Sequence, residues 1–278
     1  MRRRGGCGGH RDREHTTLLV TVDFGSASGI VSTFVAAVER IVLVHGSVVG
    51  GRATWREQRR AGVEGAELVV LERPGFAPGP LEDVDFDDHA DWLVERLVPG
   101  DHLVGHSYGG VVCLLAAARA RPRGTLASLT VIEPPCTRVA LDDPVVAAFA
   151  RGGAALYASA RDLEPEAFLR TFLEAVGSDW DPPSPLPPEL EQGVEALMRE
   201  RGPWEAEIPL AELASLSLPT LVVSGDHSRA YEAICDVLER ELNAERVVIP
   251  GHGHNPQLSP AFTAALLDVV ARAAARRA

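Results

Sequence analysis

The chain has 278 residues, of which 46% are hydrophobic and 24% are charged. This composition is too apolar for a disordered chain and indicates a globular protein. Acidic residues outnumber basic residues by 39 to 27, which gives a net charge of −12 at pH 7. An acidic surface argues against partners that are bound through phosphates, so we expect neither a nucleic-acid nor a membrane partner.

Cysteine usage and hydropathy add two further expectations. The four cysteines are scattered along the chain and show no CxxC or other metal-ligand spacing. No apolar run approaches the roughly 20 residues of a membrane-spanning helix. We therefore expect a cytoplasmic protein with reduced thiols and no metal site built on cysteines.

Residues 1–38 differ in composition from the rest of the chain. They are rich in Gly and Arg and carry a positive net charge within an acidic protein. The arginines at positions 2–4 resemble the start of a signal peptide, but the apolar stretch that follows, Leu18 to Val22, is too short for one. We expect residues 1–38 to form a leader that is disordered, or that is not translated because synthesis starts near Val38.

From Ile41 onward, short apolar runs alternate with helical patterns. The runs are rich in β-branched residues, as the strands of a buried parallel sheet are. Strands that alternate with helices predict βαβ units, and hence an α/β fold with a mostly parallel, doubly wound sheet. The predicted strands are Ile41–Val44, Glu67–Leu71, His102–Val104, Leu129–Ile132, Thr220–Val223 and Arg246–Ile249, and the predicted helices are Phe86–Leu97, Tyr108–Ala120, Tyr231–Leu242 and Pro260–Arg272.

One segment interrupts this alternation. Residues 137–211 contain helical patterns and a proline-rich run at 181–188, but no convincing strand. A helical insertion between two strands is typical of a lid over an active site. We therefore predict a core of residues 39–136 and 212–278 with a helical cap over 137–211. We expect most of the cap's aromatic residues to form its own core, namely Phe149, Tyr157, Phe168, Phe172, Trp180 and Trp204.

The segment Gly105-His106-Ser107-Tyr108-Gly109 follows a predicted strand and opens a predicted helix. Its two glycines allow a tight turn whose central residue takes a strained backbone conformation. Such a nucleophile elbow lifts the serine hydroxyl clear of the backbone at the carboxyl edge of the sheet. The helix that follows adds a dipole that favours negative charge. The pattern therefore predicts Ser107 as a nucleophile.

The serine motif is the third of four motifs along residues 40–275. Ile41 to Ser47 is a strand that ends in His-Gly, and Glu72 to Phe76 is a Glu-Arg-Pro-Gly-Phe turn. The fourth motif, Pro250 to His254, is a loop with histidines after the last strand. In this combination the chain resembles the α/β-hydrolase superfamily, although Glu72 and Ala77 replace the Asp and the last Gly of that family's D-x-P-G-x-G turn. The resemblance implies a catalytic serine, histidine and acid, and no cofactor.

A serine hydroxyl needs a base that removes its proton, so a histidine must lie within reach. By the resemblance, His254 is this base and His252 is an accessory or turn residue. His45 belongs to the His-Gly motif, where the family uses it structurally. The spacing of His252 and His254 would suit half of a metal site, but no further ligands cluster near them in the sequence.

The acid has two candidates. In the family it usually follows the penultimate strand in a Gly-x-x-Asp pattern, but Ser228 stands there in this chain and Asp226 lies two residues earlier. Glu133 ends the strand after the nucleophile helix, and some α/β-hydrolases take their acid from this place. A carboxylate at the end of an apolar strand needs a partner, which is either His254 or an arginine such as Arg138. We predict Glu133 as the acid and keep Asp226 as the alternative.

An oxyanion hole needs two hydrogen-bond donors. The resemblance assigns them to the backbone N–H groups of Tyr108 and Ser47, with Val48 as the alternative to Ser47. The expected function is that of a serine hydrolase, which cleaves an ester or thioester bond of a small apolar substrate through an acyl-enzyme. Haloperoxidase or perhydrolase activity and C–C hydrolysis use the same residues and stay open, as does a ligand-binding receptor without turnover.

Overall fold

The computed structural model describes residues 18–23, 28–33, 38–63, 65–120, 126–178 and 180–277. The chain forms two compact units, Met1–Val38 and Glu39–Ala278. In the first unit, β1 (Leu18–Asp23) pairs with β2 (Ser28–Thr33) in antiparallel orientation. Neither strand was among the predicted elements. Apart from these strands and Val38, the predicted leader lies outside the described residues, so the leader stays a prediction.

The second unit is built on a six-stranded parallel sheet. Its strands are β3 (Glu39–Val44), β4 (Ala66–Leu71), β5 (Asp101–His106), β6 (Ser128–Ile132), β7 (Thr220–Ser224) and β8 (Glu245–Val248). They lie in the order β4-β3-β5-β6-β7-β8, and every neighbouring pair is parallel. The three strands β5, β6 and β7 are buried throughout, as the central strands of a sheet with helices on both faces are. The predicted α/β fold with a mostly parallel sheet is therefore confirmed.

Helices connect the strands and form at all four predicted helical segments, although the helices Phe86–Val94 and Tyr108–Arg119 end three residues and one residue before their predicted ends. Within the described ranges, we find no helix whose length and apolarity would let it span a bilayer. The helices are α1 (Gly51–Thr54), α2 (Arg56–Ala61), α3 (Phe86–Val94), α4 (Tyr108–Arg119), α5 (Pro144–Ala158), α6 (Pro165–Ala175), α7 (Pro188–Arg199), α8 (Leu210–Ser215), α9 (Arg229–Leu242) and α10 (Pro260–Arg277).

Both faces of the sheet carry a hydrophobic core, because successive strand residues point to opposite faces. Val42 packs in one core with Leu114 of α4, and its neighbour Leu43 packs in the other core with Phe262 of α10. All four side chains are fully buried, and burial of each contributes about 1.5–3 kcal/mol to stability. This two-sided packing is the doubly wound arrangement that the sequence predicted.

The helices α5 to α8 lie between β6 and β7 in the chain; α5, α6 and α7 lie within the segment 137–211 that we call the cap, and α8 begins at its end and continues to Ser215. Among its described residues the cap contains no strand. Phe168 of α6 and Leu197 of α7 are fully buried in a third core, which the cap shares with Val48 of the loop after β3. The cap therefore packs directly on a loop at the carboxyl edge of the sheet.

The register of the sheet aligns the carboxyl ends of its central strands. His106 of β5 pairs with Ile132 of β6, which in turn pairs with Val223 of β7. Ser107 and Glu133 each come one residue after these aligned ends. Open α/β sheets bind ligands at this edge, so the topology places both side chains where a site is expected.

Candidate active site

Ser107 forms the turn between β5 and α4, with φ 53° and ψ −125°. A positive φ is uncommon for a residue other than glycine and costs about 1–3 kcal/mol. The neighbouring backbone leaves no room for side chains. A Cβ at Gly105 would lie 2.4 Å from the Gly109 oxygen, and a Cβ at Gly109 would lie 2.3 Å from the His45 oxygen. The two glycines therefore allow the tight turn that places Ser107 at the start of α4.

Two hydrogen bonds connect Ser107, His254 and Glu133. His254 Nε2 lies 2.9 Å from Ser107 Oγ, and His254 Nδ1 lies 2.8 Å from Glu133 Oε2. All three residues are buried. Because an ionised carboxylate only accepts hydrogen bonds, Nδ1 carries the imidazole proton and Nε2 is left to accept the hydroxyl proton. The structure thus brings together the predicted nucleophile, the predicted base and the first-choice acid.

Glu133 is held as a buried carboxylate. Its Oε1 accepts a hydrogen bond of 2.6 Å from the Gly225 N–H, while Oε2 faces His254 and His227. Burial alone would raise the pKa of Glu133, but the contacts with His227 and His254 outweigh it and lower the pKa to about 2. The side chain is therefore charged at neutral pH and can stabilise a protonated His254.

The alternative acid lies elsewhere. Asp226 is exposed, and its N–H donates to Glu232 Oε1 over 3.0 Å. Within the described part of the chain, no hydrogen bond or ion pair joins the Asp226 carboxylate to His254. Arg138, the other possible partner of Glu133, pairs with Glu207 at 2.9 Å.

His227 is a site residue that the sequence reasoning missed. Its Nδ1 lies 3.4 Å from Glu133 Oε2, and its Nε2 lies 3.2 Å from the Val176 carbonyl oxygen in the cap. The Nε2 contact is a hydrogen bond, whereas the Nδ1 contact lies within ion-pair distance only. Burial lowers the pKa of His227, but Glu133 outweighs it and the net effect is a raised pKa. Its position just after β7 was the one signal in the sequence.

His106 holds the loop that carries His254. Its Nε2 lies 2.8 Å from the His254 carbonyl oxygen, which accepts the hydrogen bond. Burial, together with the neighbouring His254, lowers the pKa of His106 to about 3, so this ring is neutral at physiological pH. His252, by contrast, is exposed at the surface of the same loop.

The two predicted oxyanion residues line a cavity beside Ser107. Tyr108 is the first residue of α4, so its N–H has no acceptor within the helix. The Ser47 N–H donates to no backbone carbonyl of a described residue. Val48, the alternative to Ser47, has a φ of 74°, which is unusual for a β-branched residue. Both Ser47 and Tyr108 thus line the cavity that contains Ser107.

Glu133, His227 and His254 also offer three potential metal-ligand atoms within 4.8 Å of one another. The atoms concerned already take part in the contacts described above. A metal ion held at about 2.0–2.2 Å by Glu133 and His254 would have to replace their 2.8 Å hydrogen bond. We therefore interpret the cluster as a hydrogen-bonded acid and base with a second histidine beside the acid.

Two cavities meet at Ser107. The first has a volume of about 250 Å³, and none of the residues described in its wall carries a charge. The second, about 680 Å³, includes His254, Arg56 and Asn255 in its wall. The expectation that most cap aromatics form the cap's own core is not met, because only Phe168 is confined to it. The first cavity is lined by Phe149, Tyr157, Phe172 and Trp204, and the second by Phe172 and Trp180.

With this geometry in place, comparison with known proteins gives the assignment. Residues 41–266 match a family described as the alpha/beta hydrolase family. The chain belongs to the α/β hydrolase family. This α/β hydrolase is accordingly an enzyme of hydrolase type, as the sequence motifs predicted. A search of the curated proteins found no match.

Solved structures share the fold of this α/β hydrolase at low identity. NosK from Streptomyces actuosus is 22% identical, with a TM-score of 0.59 over 85% of this chain and 99% of that chain. MenH from S. aureus is 17% identical, with a TM-score of 0.64 over 86% and 96% of the two chains. A malate-bound esterase from Thermogutta terrifontis is 23% identical, with a TM-score of 0.57 over 84% and 90%. These likenesses concern the fold.

Proposed function

We propose that this enzyme hydrolyses an ester or thioester bond through an acyl-enzyme formed on Ser107. The observation that carries the proposal is the unbroken hydrogen-bond chain from Ser107 Oγ through His254 to Glu133, with distances of 2.9 and 2.8 Å. A nucleophile, a base and a group that orients the base are the three parts that serine acyl transfer needs.

The proposed reaction has two steps. Ser107 Oγ attacks the carbonyl carbon while His254 Nε2 takes its proton, and the oxyanion accepts hydrogen bonds from the Ser47 and Tyr108 N–H groups. Collapse of this intermediate breaks the bond to the leaving oxygen or sulfur, which takes the proton from His254 Nε2. Water then attacks the acyl-enzyme with His254 again as the base, and the acid product leaves as Ser107 recovers its proton. Glu133 stays ionised throughout and stabilises the imidazolium.

The two cavities support separate binding places for the acyl group and the leaving group of the substrate. The leaving group receives its proton from His254 Nε2, so it belongs in the second cavity, whose wall includes His254. The acyl group then lies in the first cavity, whose wall includes both oxyanion residues but not His254. This cavity of about 250 Å³ has an apolar wall, so a compact uncharged acyl group fits it and an anionic one does not.

Active-site labelling tests the proposal. Wild type and Ser107→Ala are treated with a small fluorophosphonate and their intact masses are compared, with circular dichroism as a check of folding. We expect one label per wild-type chain and none on the variant. A folded wild type that stays unlabelled would show that Ser107 is not an activated nucleophile, and a receptor without turnover would then explain the fold better. Esters with one leaving group and acyl chains of increasing length would next map the acyl cavity.

A further inference from the structure

A buried ion pair joins the cap to the core beside the oxyanion residues. Arg73 follows β4, Glu200 follows α7 of the cap, and Arg73 Nη1 lies 2.6 Å from Glu200 Oε1. The two side chains are 0% and 2% exposed. Burial raises the pKa of Glu200, but Arg73 and His89 outweigh it and lower the pKa, so the carboxylate is charged. Burying two charges costs desolvation free energy, and removing one of them leaves the other buried without its partner. Stability is therefore a weak reason for the pair, and the groups that it holds in place explain it better.

Arg73 makes a second contact, with the loop that carries Ser47. Arg73 Nη2 donates to the Gly46 carbonyl oxygen over 3.0 Å. His45 Nε2 accepts from the Arg73 N–H over 2.9 Å, so the imidazole proton lies on Nδ1, which donates to the same Gly46 oxygen over 2.8 Å. Burial, followed by the charge of Arg73, lowers the pKa of His45 well below its usual range, in keeping with this neutral form. Two donors therefore hold one carbonyl.

Because the peptide group is planar, the contact with the Gly46 oxygen also orients the Ser47 N–H. The Gly46–Ser47 bond is trans, so its C=O and N–H point in opposite directions. With the Gly46 oxygen held by Arg73, the Ser47 N–H points away from Arg73. The loop lies directly against the nucleophile, because a Cβ at Gly46 would lie 2.9 Å from Ser107 Cβ. The guanidinium thus determines where one oxyanion donor points.

The cap contacts the same loop at two further points. Ser47 Oγ donates to Glu200 Oε2 over 3.4 Å. Gly193 of α7 packs on Val48 so closely that a Cβ there would lie 1.9 Å from the Val48 oxygen. The Arg73 guanidinium also lies 4.8 Å from the ring centre of Tyr108, whose N–H is the second oxyanion donor.

We infer that Arg73 and Glu200 are positioning residues for the oxyanion hole, and that the cap helix α7 sets the orientation of the Ser47 N–H through them. This inference rests on the proposed function. It gives the cap a part in transition-state stabilisation, in addition to its part in the substrate cavity.

The test compares Glu200→Gln with Arg199→Gln. Arg199 is the neighbouring residue and also joins cap to core, but its pair with Asp83, at 3.0 Å, is exposed. Turnover is measured with p-nitrophenyl butyrate, and the active sites are counted with a fluorophosphonate. The affinity of a trifluoromethyl ketone, which forms a tetrahedral adduct with the serine, reports the oxyanion hole directly.

For Glu200→Gln we expect kcat to fall about 10- to 100-fold, with KM within about threefold, because a displaced donor costs less than a removed one. The trifluoromethyl ketone should bind more weakly by the same factor as kcat/KM falls. Arg199→Gln should keep kcat and the affinity of the trifluoromethyl ketone within about twofold of the wild-type values. The double variant Arg73→Met/Glu200→Met removes the pair without stranding a charge, and it should show the same loss of turnover and inhibitor affinity.

Two results would overturn the inference. The first is that Glu200→Gln and the double variant, both folded and both labelled by the fluorophosphonate, keep the kcat and the inhibitor affinity of the wild type. The second is that KM rises while kcat is unchanged, which would mean that the pair shapes only the substrate cavity. Failure of the proposed function looks different, since the wild type itself would then neither turn over the ester nor take the label.

Discussion

Glu133 Oε2 lies 2.8 Å from His254 Nδ1, although 121 positions separate the two residues in the chain. The carboxylate ends β6 and the imidazole lies in the loop after β8, and the strand β7 lies between β6 and β8 in the sheet. The Glu133 carboxylate therefore reaches the His254 imidazole across the end of β7, where Gly225 donates its N–H to Glu133. Because Gly225 has no side chain and a Cβ there would lie 2.0 Å from the Gly253 oxygen, the two loops can approach each other closely.

The first prediction distinguishes the two candidate acids. Glu133→Gln keeps the size of the side chain but removes the charge that stabilises the His254 imidazolium, so kcat should fall roughly 10³- to 10⁴-fold. Asp226→Asn is the matched control at an exposed position and should keep kcat within about twofold. Steady-state kinetics on an activated ester decide the matter, and the opposite pattern would assign the acid to Asp226.

The second prediction concerns His227 and the pH dependence of activity. A protonated His227 opposes protonation of His254, since their ring centres are 5.9 Å apart. His227→Gln removes this positive charge, so the acidic limb of kcat/KM, which reports protonation of the base, should move to higher pH. His252→Gln, an exposed change in the loop of His254, should leave the profile where it is. An unmoved limb in His227→Gln would mean that His227 is not charged in the active enzyme.

The third prediction concerns pH and stability. The pKa of His106 is lowered from 6.5 to about 3, so between these values the unfolded chain binds a proton that the folded chain does not. The free energy of unfolding should therefore decrease as the pH falls through this window, and His106 contributes up to about 1.4 kcal/mol per pH unit. His106→Gln should reduce that slope, because glutamine can donate the same hydrogen bond to His254 without titrating.

Urea unfolding between pH 4.5 and 6.5 measures this slope. The pKa of Glu133 is lowered from 4.5 to about 2, so Glu133 changes the free energy of unfolding only between these pH values, below the chosen range. Equal slopes for wild type and His106→Gln would show that the protonation of His106 does not differ between the folded and unfolded states in this pH range.

The fourth prediction concerns the acyl cavity. Gly152 of α5 lines this cavity, and a Cβ built on it meets no atom within 4 Å. The Cβ of Gly152→Leu should therefore meet no clash at the rim of the cavity, and leucine favours a helix more than glycine does. We expect kcat/KM for a hexanoate ester to fall at least about tenfold more than for the acetate ester, because the longer chain needs the lost volume.

Ala154→Leu provides the comparison for this change. Ala154 is exposed on α5 and is not part of the cavity wall, so its substitution should affect the two esters equally. If Gly152→Leu lowered the rates for acetate and hexanoate by the same factor, the acyl group would not occupy this cavity.

Local patterns in the sequence were enough to predict the sheet, the core helices and the tight turn at Ser107. Buried parallel strands need continuous β-branched runs, and the turn at Ser107 needs glycines at 105 and 109, because a Cβ at either position would overlap the backbone. These requirements involve residues close together in the chain, so the sequence displays them. The family motifs then pointed to His254, which the structure places 2.9 Å from Ser107.

The tertiary structure alone showed that Glu133, and not Asp226, lies beside His254, since both residues follow strands that end at the same edge of the sheet. It also showed the contact of His227 with Glu133 and the pairing of Arg73 with Glu200 across 127 positions. The physical reason is that a buried charge is stable only beside its partner, and which partner it meets depends on how the loops and the cap pack at that edge. Neither hydrophobic periodicity nor turn chemistry encodes that packing.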